Sequence, residues 1–216
     1  MSLFLWSQFG IVCLLGAMSP GPSLALIIRN SINFSRISGI LTSLGHGLGI
    51  GLYAFITVIL LEFIKQNSET IFFVIQICGA VFLIIFGIIF IMQKNNDTEI
   101  KSHQVHSSSF AQGFIIAIIN PKILLWFISF FSQFIVTNST NLGKAILVLT
   151  PTIIDAAWYS IVAILITGYA LKEKLNKRKS ILQKIIGILL ICIALSLISN
   201  LIRSDRFQLI QIYFNR

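Results

Sequence analysis

Charged residues are scarce in this chain of 216 residues: Lys, Arg, Asp and Glu make up 11% of it, whereas 56% of it is hydrophobic. The mean hydropathy is correspondingly high, at +0.91. A soluble globule of this length needs a polar surface that so few ionisable residues cannot supply. The composition therefore excludes an ordinary soluble domain and predicts an integral membrane protein.

Lys and Arg are absent from the first 28 residues. A secretory signal peptide begins with a positively charged region, so its absence argues against a cleaved leader. Residues 16–19, Gly-Ala-Met-Ser, do resemble a small-residue cleavage site. We nevertheless expect residues 1–216 to form a single integral membrane domain.

Potential metal ligands and reactive thiols are also few. Cys13, Cys78 and Cys192 are isolated and lack CxxC spacing, which argues against a thiol–disulfide relay, since a relay needs paired thiols near water. A metal or inorganic ion exporter stays as an alternative, but it needs several converging ligands, and the hydrophobic runs offer only His46 and Asp155. No metal site, cofactor or enzymatic constellation is predicted.

Long hydrophobic runs, in contrast, are abundant. Crossing about 30 Å of hydrocarbon takes about 20 helical residues at about 1.5 Å each. Six runs are long enough, at about 3–28, 39–63, 71–92, 110–136, 145–171 and 185–202. They predict an all-α polytopic membrane protein with six transmembrane helices.

Orientation follows from Lys and Arg, because positively charged short loops stay in the cytoplasm. With six spans, ten of these residues lie on one side and five on the other, and Lys122 lies within a span. Both termini are therefore predicted to face outward. The densest basic segment, 172–179, is interpreted as a juxtamembrane loop that contacts anionic lipid headgroups. A nucleic-acid partner is not predicted.

Proline interrupts the first and the fourth run. A proline cannot donate a backbone hydrogen bond, so in hydrocarbon the freed carbonyl needs another partner, such as a neighbouring helix, water or a substrate. Interrupted segments at corresponding positions of two halves indicate a transporter binding site. The candidate substrate-binding residues at these breaks are Ser19, Pro20, Gly21, Pro22, Asn120, Pro121 and Lys122.

The most polar linker, 94–109, divides the chain into halves at about 1–93 and 110–203, with three spans each. Because three is odd, the two halves must cross the membrane with opposite topology. The sequence therefore predicts a 3+3 inverted repeat in which helices 1 and 4 are broken. Coincidence in the placement of the prolines is the alternative.

Asp155 lies inside the fifth run, where an ionisable residue indicates a functional site. Lys122 is the expected cationic partner at similar depth, and a permanent Asp155–Lys122 bridge without a role in transport is the structural alternative. Trp158 follows Asp155 by three residues, so it is expected on the same helical face, where it would wall a binding pocket.

Span 2 carries two overlaid small-xxx-small spacings, Gly45 with Gly49 and Gly47 with Gly51. Such spacings let another helix backbone approach closely, and we expect a broken helix to pack there. His46 lies among these glycines. A histidine changes charge near neutral pH and is a candidate coupling residue, although a hydrogen bond to a neighbouring carbonyl is the simpler expectation.

In combination these features resemble the LysE/RhtB amino-acid exporter family, from about residue 4 to residue 200. The two breaks at opening-helix positions of the two halves carry most of the resemblance. The full set is Pro20-Gly21-Pro22, the glycine-rich span 2, Gly79 to Leu83 followed by Gly87, Phe110 with Gly113-Phe114, Asn120-Pro121-Lys122, Gln133-Phe134, and Asp155 with Trp158.

The resemblance implies secondary active export of amino acids or their derivatives across a bacterial cytoplasmic (inner) membrane, energised by the proton gradient. It carries the family's motif positions to the residues of the two breaks and to Asp155. We hypothesise that backbone amides and Lys122 hold the substrate carboxylate, that carbonyls and Asp155 hold its ammonium, and that protonation of Asp155 from outside releases the substrate. The identity of the amino acid and the oligomeric state stay open.

Overall fold

The computed structural model describes residues 3–92, 108–120, 123, 126–127, 130–134, 140–166 and 169–203. Within these ranges the regular structure is entirely helical, which confirms the predicted all-α class. The helices are α1 (Leu3–Met18), α2 (Pro22–Asn33), α3 (Arg36–Asn67), α4 (Glu69–Met92), α5 (Ser109–Ile118), α6 (Asn141–Leu165) and α7 (Tyr169–Arg203). Ile123, residues 126–127 and residues 130–131 are also helical.

Three of the described helices are long and apolar enough to cross a membrane: α3, α4 as far as Ile89, and α6. A fourth crossing results if α1 and α2 form one bent span. The predicted run 110–136 is described only in part, and the apolar stretch of α7, Gln183–Ser196, is shorter. Six crossings therefore remain a prediction.

The helix is interrupted between α1 and α2, where two prolines flank a glycine. α1 ends at Met18, α2 begins at Pro22, and the two helices are bent by 61°. Pro22 occupies the first helical position, where its missing N–H would have no intrahelical partner in any case. Gly21 precedes it with an extended backbone. The predicted interruption of the first run is confirmed.

Two predicted boundaries near the C-terminus are wrong. The run 145–171 crosses a helix junction, because α6 ends at Leu165 and α7 begins at Tyr169. The basic segment 172–179 is helical and continuous with the last apolar helix, where a loop was expected. Lys, Arg, Glu and Leu are all good helix formers, so this polar sequence extends α7 without a break.

Close packing of α3 against α5 depends on glycine. A Cβ atom at Gly45 would overlap the carbonyl of Phe110, and a Cβ at Gly49 would lie 2.6 Å from the Cβ of Ala117. Neither position has room for a side chain, so the backbones of α3 and α5 are in direct contact there. Residue numbers rise together along this contact, which means that α3 and α5 run in the same direction.

The second glycine pair of α3 faces α6. A Cβ at Gly47 would lie 2.7 Å from the Cβ of Ala156, and a Cβ at Gly51 would lie 2.7 Å from Oγ1 of Thr152. Here the numbers rise on α3 as they fall on α6, so the two helices are antiparallel. The two spacings therefore serve two different neighbours. Packing of a broken helix was expected here, and α5, which ends just before the second break, is one of the two neighbours.

α4 and α7 meet through a reciprocal contact. A Cβ at Gly87 would meet the carbonyl of Gly187 and the side chain of Ile191, and a Cβ at Gly187 would meet the carbonyl of Gly87 and the side chain of Ile91. The two helices are antiparallel by the same reasoning. Each helix thus presents the same pair of residue types to the other, as in a contact across a two-fold axis.

The outward faces of the helices are apolar. On α3, Leu44, Leu48, Phe55 and Ile59 are all exposed, whereas the buried face carries glycine, Ser43 and other small or polar residues. Exposed leucine and phenylalanine opposite a small-residue interior are typical of a helix that contacts lipid on one side and helices on the other.

Candidate transport site

The break after α1 places a serine at the start of a buried helix. Ser23 is the second residue of α2 and is 4% exposed. The first backbone N–H groups of a helix lack intrahelical partners, and the helix dipole makes this end positive. The interruption therefore brings a hydroxyl group and a positive helix end into the interior of the protein.

A buried hydrogen-bonded chain connects this serine to α3 and α6. His46 Nδ1 lies 2.6 Å from Oδ2 of Asp155, and His46 Nε2 lies 2.8 Å from Oγ of Ser23. All three residues are at most 5% exposed. Gly47, next to His46, lets α3 and α6 approach closely enough for the imidazole to reach the carboxyl group. The arrangement joins two ionisable groups to a hydroxyl at the helix break.

The second break converges on the same serine. α5 ends at Ile118, and Asn120 follows it outside any helix. Asn120 Nδ2 donates a hydrogen bond to Oγ of Ser23 over 3.4 Å, and Asn120 is 8% exposed. Ser23 after the first interruption and Asn120 at the second are therefore direct neighbours.

These groups line a cavity of about 60 Å³. Its polar lining includes Ser19, Ser23, His46, Asn120 and Asp155, all of them buried. The rest of the lining is mostly apolar and includes Ile50, Ile123, Trp126, Phe127 and Phe131. The cavity therefore combines a compact group of hydrogen-bonding side chains with an aliphatic and aromatic compartment.

Two further residues of α6 complete the surroundings of His46. Tyr159 packs its ring edge-on against the imidazole, with the ring centroids 5.0 Å apart. Pro151 lies one turn before Asp155 and also lines the cavity. A proline inside a helix removes one backbone hydrogen bond, so α6 lacks one helical hydrogen bond beside the cavity.

The apolar compartment is packed by aromatic side chains. Phe127 and Phe131 lie with ring centroids 4.7 Å apart, and Phe131 also meets Phe9 of α1 edge-on. Trp126 packs against Gly16, where a Cβ would lie 3.0 Å from the indole. The absence of a side chain at position 16 thus gives the indole its space beside the cavity.

Of the residues predicted from the sequence, Ser19, Gly21, His46, Asn120 and Asp155 line the same cavity. Pro22 begins α2, and Pro20 lies in the break without lining the cavity. Pro121 and Lys122 lie outside the described residues. The cavity thus contains residues from both breaks together with the two ionisable groups of the spans.

Trp158 does not wall the cavity as expected. It is partly buried and packs with Ile27, Tyr159 and Ala163 beside it. At 100° per residue, the fourth residue after Asp155 points closer to the direction of the carboxyl group than the third. Tyr159 therefore occupies the position that was predicted for Trp158.

The expected partner of His46 is corrected. A backbone carbonyl was expected, but in the structure His46 binds Asp155. The expected pairing of Asp155 with Lys122 stays a prediction, because Lys122 lies outside the described residues. The remaining ring nitrogen of His46 bonds to Ser23, so both nitrogens have side-chain partners. A sequence does not reveal this pairing, because it depends on how closely α3 approaches α6.

Ser23, Tyr159, Pro151 and Trp126 were not predicted as site residues. For Ser23 a signal existed, since it is the first hydroxyl residue after the interruption and a helix N-terminus gathers polar ligands. For Pro151 the signal was a proline in an apolar run. The described residues contain no group of three or more His, Cys, Asp or Glu side chains that could hold a metal ion.

A bent apolar helix pair whose break borders a buried cavity with hydrogen-bonding side chains is typical of membrane transporters. Comparison with known sequences agrees with this class. Residues 14–201 match the LysE type translocator family. The chain belongs to this family, and its members are transporters and not enzymes.

Three individual relatives share between 21% and 27% of their aligned residues with this chain. The membrane protein YrhP of Bacillus subtilis is 27% identical, over 80% of this chain and 88% of its own. A leucine efflux protein of Enterobacter sp. is 25% identical, over 83% of this chain and 88% of its own. The leucine efflux protein of Klebsiella pneumoniae is 21% identical, over 82% and 89% respectively. No solved structure gives a significant match.

Proposed function

We propose that this protein is a proton-coupled exporter of amino acids with apolar side chains. The observation that carries the proposal is the buried Asp155–His46–Ser23 chain in a cavity whose remaining lining is apolar. An intramembrane carboxylate next to a histidine is suited to bind both an ammonium group and a proton. The named function of the leucine efflux relatives supports the same substrate class.

The cavity has one region suited to the ammonium and carboxylate groups of an amino acid and another suited to its side chain. The carboxylate of Asp155 is the acceptor for the ammonium group, and the amide of Asn120 and the start of α2 are donors for the carboxylate. Lys122 remains a predicted second ligand for the carboxylate. In this proposal the side chain of the substrate lies among Ile50, Trp126 and Phe127. A charged or strongly polar substrate side chain would lose its hydration there without gaining a partner.

Proton coupling rests on competition for the same negative charge. An ionised Asp155 attracts the ammonium group, whereas a proton bound to Asp155 or to His46 removes or offsets that charge. If the proton enters from the outside, it displaces the amino acid there, and its loss to the cytoplasm restores the site. Substrate and proton would therefore move in opposite directions, as in an antiporter.

We propose that six spans form a 3+3 inverted repeat with halves at about 1–93 and 110–203. Opposite topology of the halves requires span 2 to be antiparallel to span 5, and span 3 to span 6. α3 and α6 correspond to spans 2 and 5, α4 and α7 to spans 3 and 6, and both pairs are antiparallel. Gly87 and Gly187 support it further, because they meet reciprocally. They lie as far apart in sequence as Gly21 and Pro121, at the centres of the two breaks.

In this arrangement the protein lies in the bacterial cytoplasmic membrane with both termini outside. A reporter that is active only in the cytoplasm is expected to be active when fused at residue 100 or after residue 176, and inactive when fused at residue 67 or at the C-terminus. Alkaline phosphatase fusions at the same sites should give the opposite pattern. A cytoplasmic C-terminus would refute this orientation.

Reconstituted protein tests the function directly. Proteoliposomes containing the full chain and preloaded with labelled L-leucine are expected to release it faster when the external medium is acidic, and a protonophore should abolish the difference. Unlabelled isoleucine and methionine should compete, whereas lysine and glutamate should not, since their charges would enter the apolar compartment. Equal release with and without the gradient contradicts coupling, and no release of any of these amino acids contradicts the exporter.

A further inference from the structure

The hydroxyl group of Ser23 has a limited number of hydrogen bonds, and two are committed to its neighbours. A hydroxyl donates one hydrogen and accepts at two lone pairs. One lone pair accepts the hydrogen bond from Asn120 Nδ2, at 3.4 Å, and His46 Nε2 lies 2.8 Å from the same oxygen. What Ser23 offers to the cavity therefore depends on whether Nε2 carries a proton.

When the imidazole is neutral and Asp155 is ionised, the histidine proton is on Nδ1, where it is donated to the carboxylate. Nε2 then has no hydrogen and must accept one, so the hydroxyl of Ser23 donates to it. One lone pair of Ser23 receives Asn120, and the second faces the cavity. In this state Ser23 is an acceptor for a substrate, and it favours an ammonium group.

When a proton is added to Nε2, the direction of this bond reverses. The imidazolium donates through both nitrogens, so the Ser23 oxygen accepts from His46 and from Asn120, and both its lone pairs are used. Its own hydrogen is released and becomes a donor towards the cavity. A hydrogen-bond donor repels an ammonium group. The same serine therefore binds the substrate's ammonium group in the first state and repels it in the second.

We infer that Ser23 is a positioning residue that converts protonation of His46 into loss of the substrate's ammonium group. The inference deepens the proposed export function and rests on it. The proton ends on Nε2 of His46, no covalent bond forms or breaks, and the change in the cavity is a rotation of one hydroxyl hydrogen. Ser23 is suited to this because it touches the histidine, the second break and the cavity at once.

The other titratable groups around His46 are few. Among the described residues, the titratable side chains that line the cavity with His46 are Asp155 and Tyr159 from α6 and Cys13 from α1. α2 and α5 contribute none to this lining. Asp155 bonds to Nδ1 of His46, so it fixes the ring and leaves Nε2 as the atom that faces Ser23.

Leucine counterflow in proteoliposomes tests the role of Ser23. In the unsubstituted protein, the half-saturating concentration is expected to rise about tenfold between about pH 8 and about pH 5.5, the size of one hydrogen bond to a charged group. Ser23→Ala should reduce this ratio to about twofold or less, and Ser23→Thr, which keeps the hydroxyl, should restore it. An unchanged ratio in Ser23→Ala overturns the inference.

Ser31→Ala is the matched control. Ser31 lies on the same helix, is equally buried, and donates its hydroxyl to the carbonyl of Ile27 over 2.7 Å, away from the cavity. The substitution should leave the pH ratio at its full value. If Ser31→Ala loses the ratio as well, the effect of Ser23→Ala reflects the stability of α2, and the switch is refuted.

A measurement without transport separates this inference from the exporter proposal. In detergent-solubilised chain with His103→Gln and His106→Gln, ¹⁵N NMR of labelled histidine should report a protonated Nδ1 and an accepting Nε2 at about pH 8. Ser23→Ala should shift the Nε2 signal to that of an unbonded nitrogen. A proton on Nε2 at this pH overturns the switch, whereas absent leucine counterflow with the expected spectrum refutes only the exporter.

Discussion

Replacing Asp155 by asparagine is expected to abolish gradient-driven export and to leave the protein folded. Asparagine can still accept the hydrogen bond from His46 Nδ1, but it carries no charge for an ammonium group and cannot release a proton. The loss of a hydrogen bond to a charged group, about 1.5–3 kcal/mol, weakens substrate binding by about tenfold to about a hundredfold. Because the uncharged site also cannot couple binding to the proton gradient, no gradient-driven export should be detected. Efflux of labelled leucine from proteoliposomes under an imposed pH gradient measures this loss.

Glu62→Gln is the matched control for this substitution. Glu62 lies on α3 and pairs with Lys144 over 2.7 Å, at partly exposed positions away from the cavity. Removing its charge should change the coupled rate by less than about twofold, since a surface pair contributes little. Coupled export at the normal rate in Asp155→Asn would exclude the carboxylate from both substrate binding and coupling.

The largest expected effect on stability comes from adding one methyl group at Gly113. A Cβ at this position of α5 would overlap the carbonyl of Thr42 and lie 3.0 Å from the backbone nitrogen of His46 on α3. These are backbone atoms that cannot rotate away, so the helices must separate. We expect Gly113→Ala to cost about 3 kcal/mol and to lower the thermal midpoint in detergent by about 10 °C.

Gly10→Ala makes the same chemical change in a site with room for it. A Cβ at Gly10 of α1 would lie 3.8 Å from the Cδ1 of Ile154, which is an ordinary contact. Its thermal midpoint should stay within about 2 °C of the original value, because no neighbour has to move. Equal midpoints for the two variants would mean that the direct backbone contact between α3 and α5 does not limit stability.

The elements that could be predicted were those whose signal is local in sequence. Two prolines around Gly21 interrupt any helix, so the break between α1 and α2 followed from the chain itself. The overlaid glycine spacings of α3 predicted close helix contacts for the same reason, since four residues return to one helix face. The helical class followed from the length of the apolar runs.

The partners within the site could not be predicted, because they depend on distances between helices. His46 and Asp155 are separated by 109 positions, and only the approach of α3 to α6 brings them to 2.6 Å. Depth in their runs pointed to Lys122 as the cation near Asp155, and that pairing stays a prediction because Lys122 lies outside the described residues. Depth alone, however, does not determine which faces of two helices meet. The rotation of α6 about its axis likewise determines that Tyr159, and not Trp158, lines the cavity.

The glycines of α3 also determine how freely its neighbours can move. Side chains that interdigitate must change rotamers before two helices can slide, and ordering them costs conformational entropy. Gly45 and Gly49 have no rotamers, so α5 can be displaced along α3 without unlocking any side chain at these positions. The surface that tolerates no additional methyl group therefore also has no side chain at positions 45 and 49 that would have to change rotamer if α5 shifted along α3.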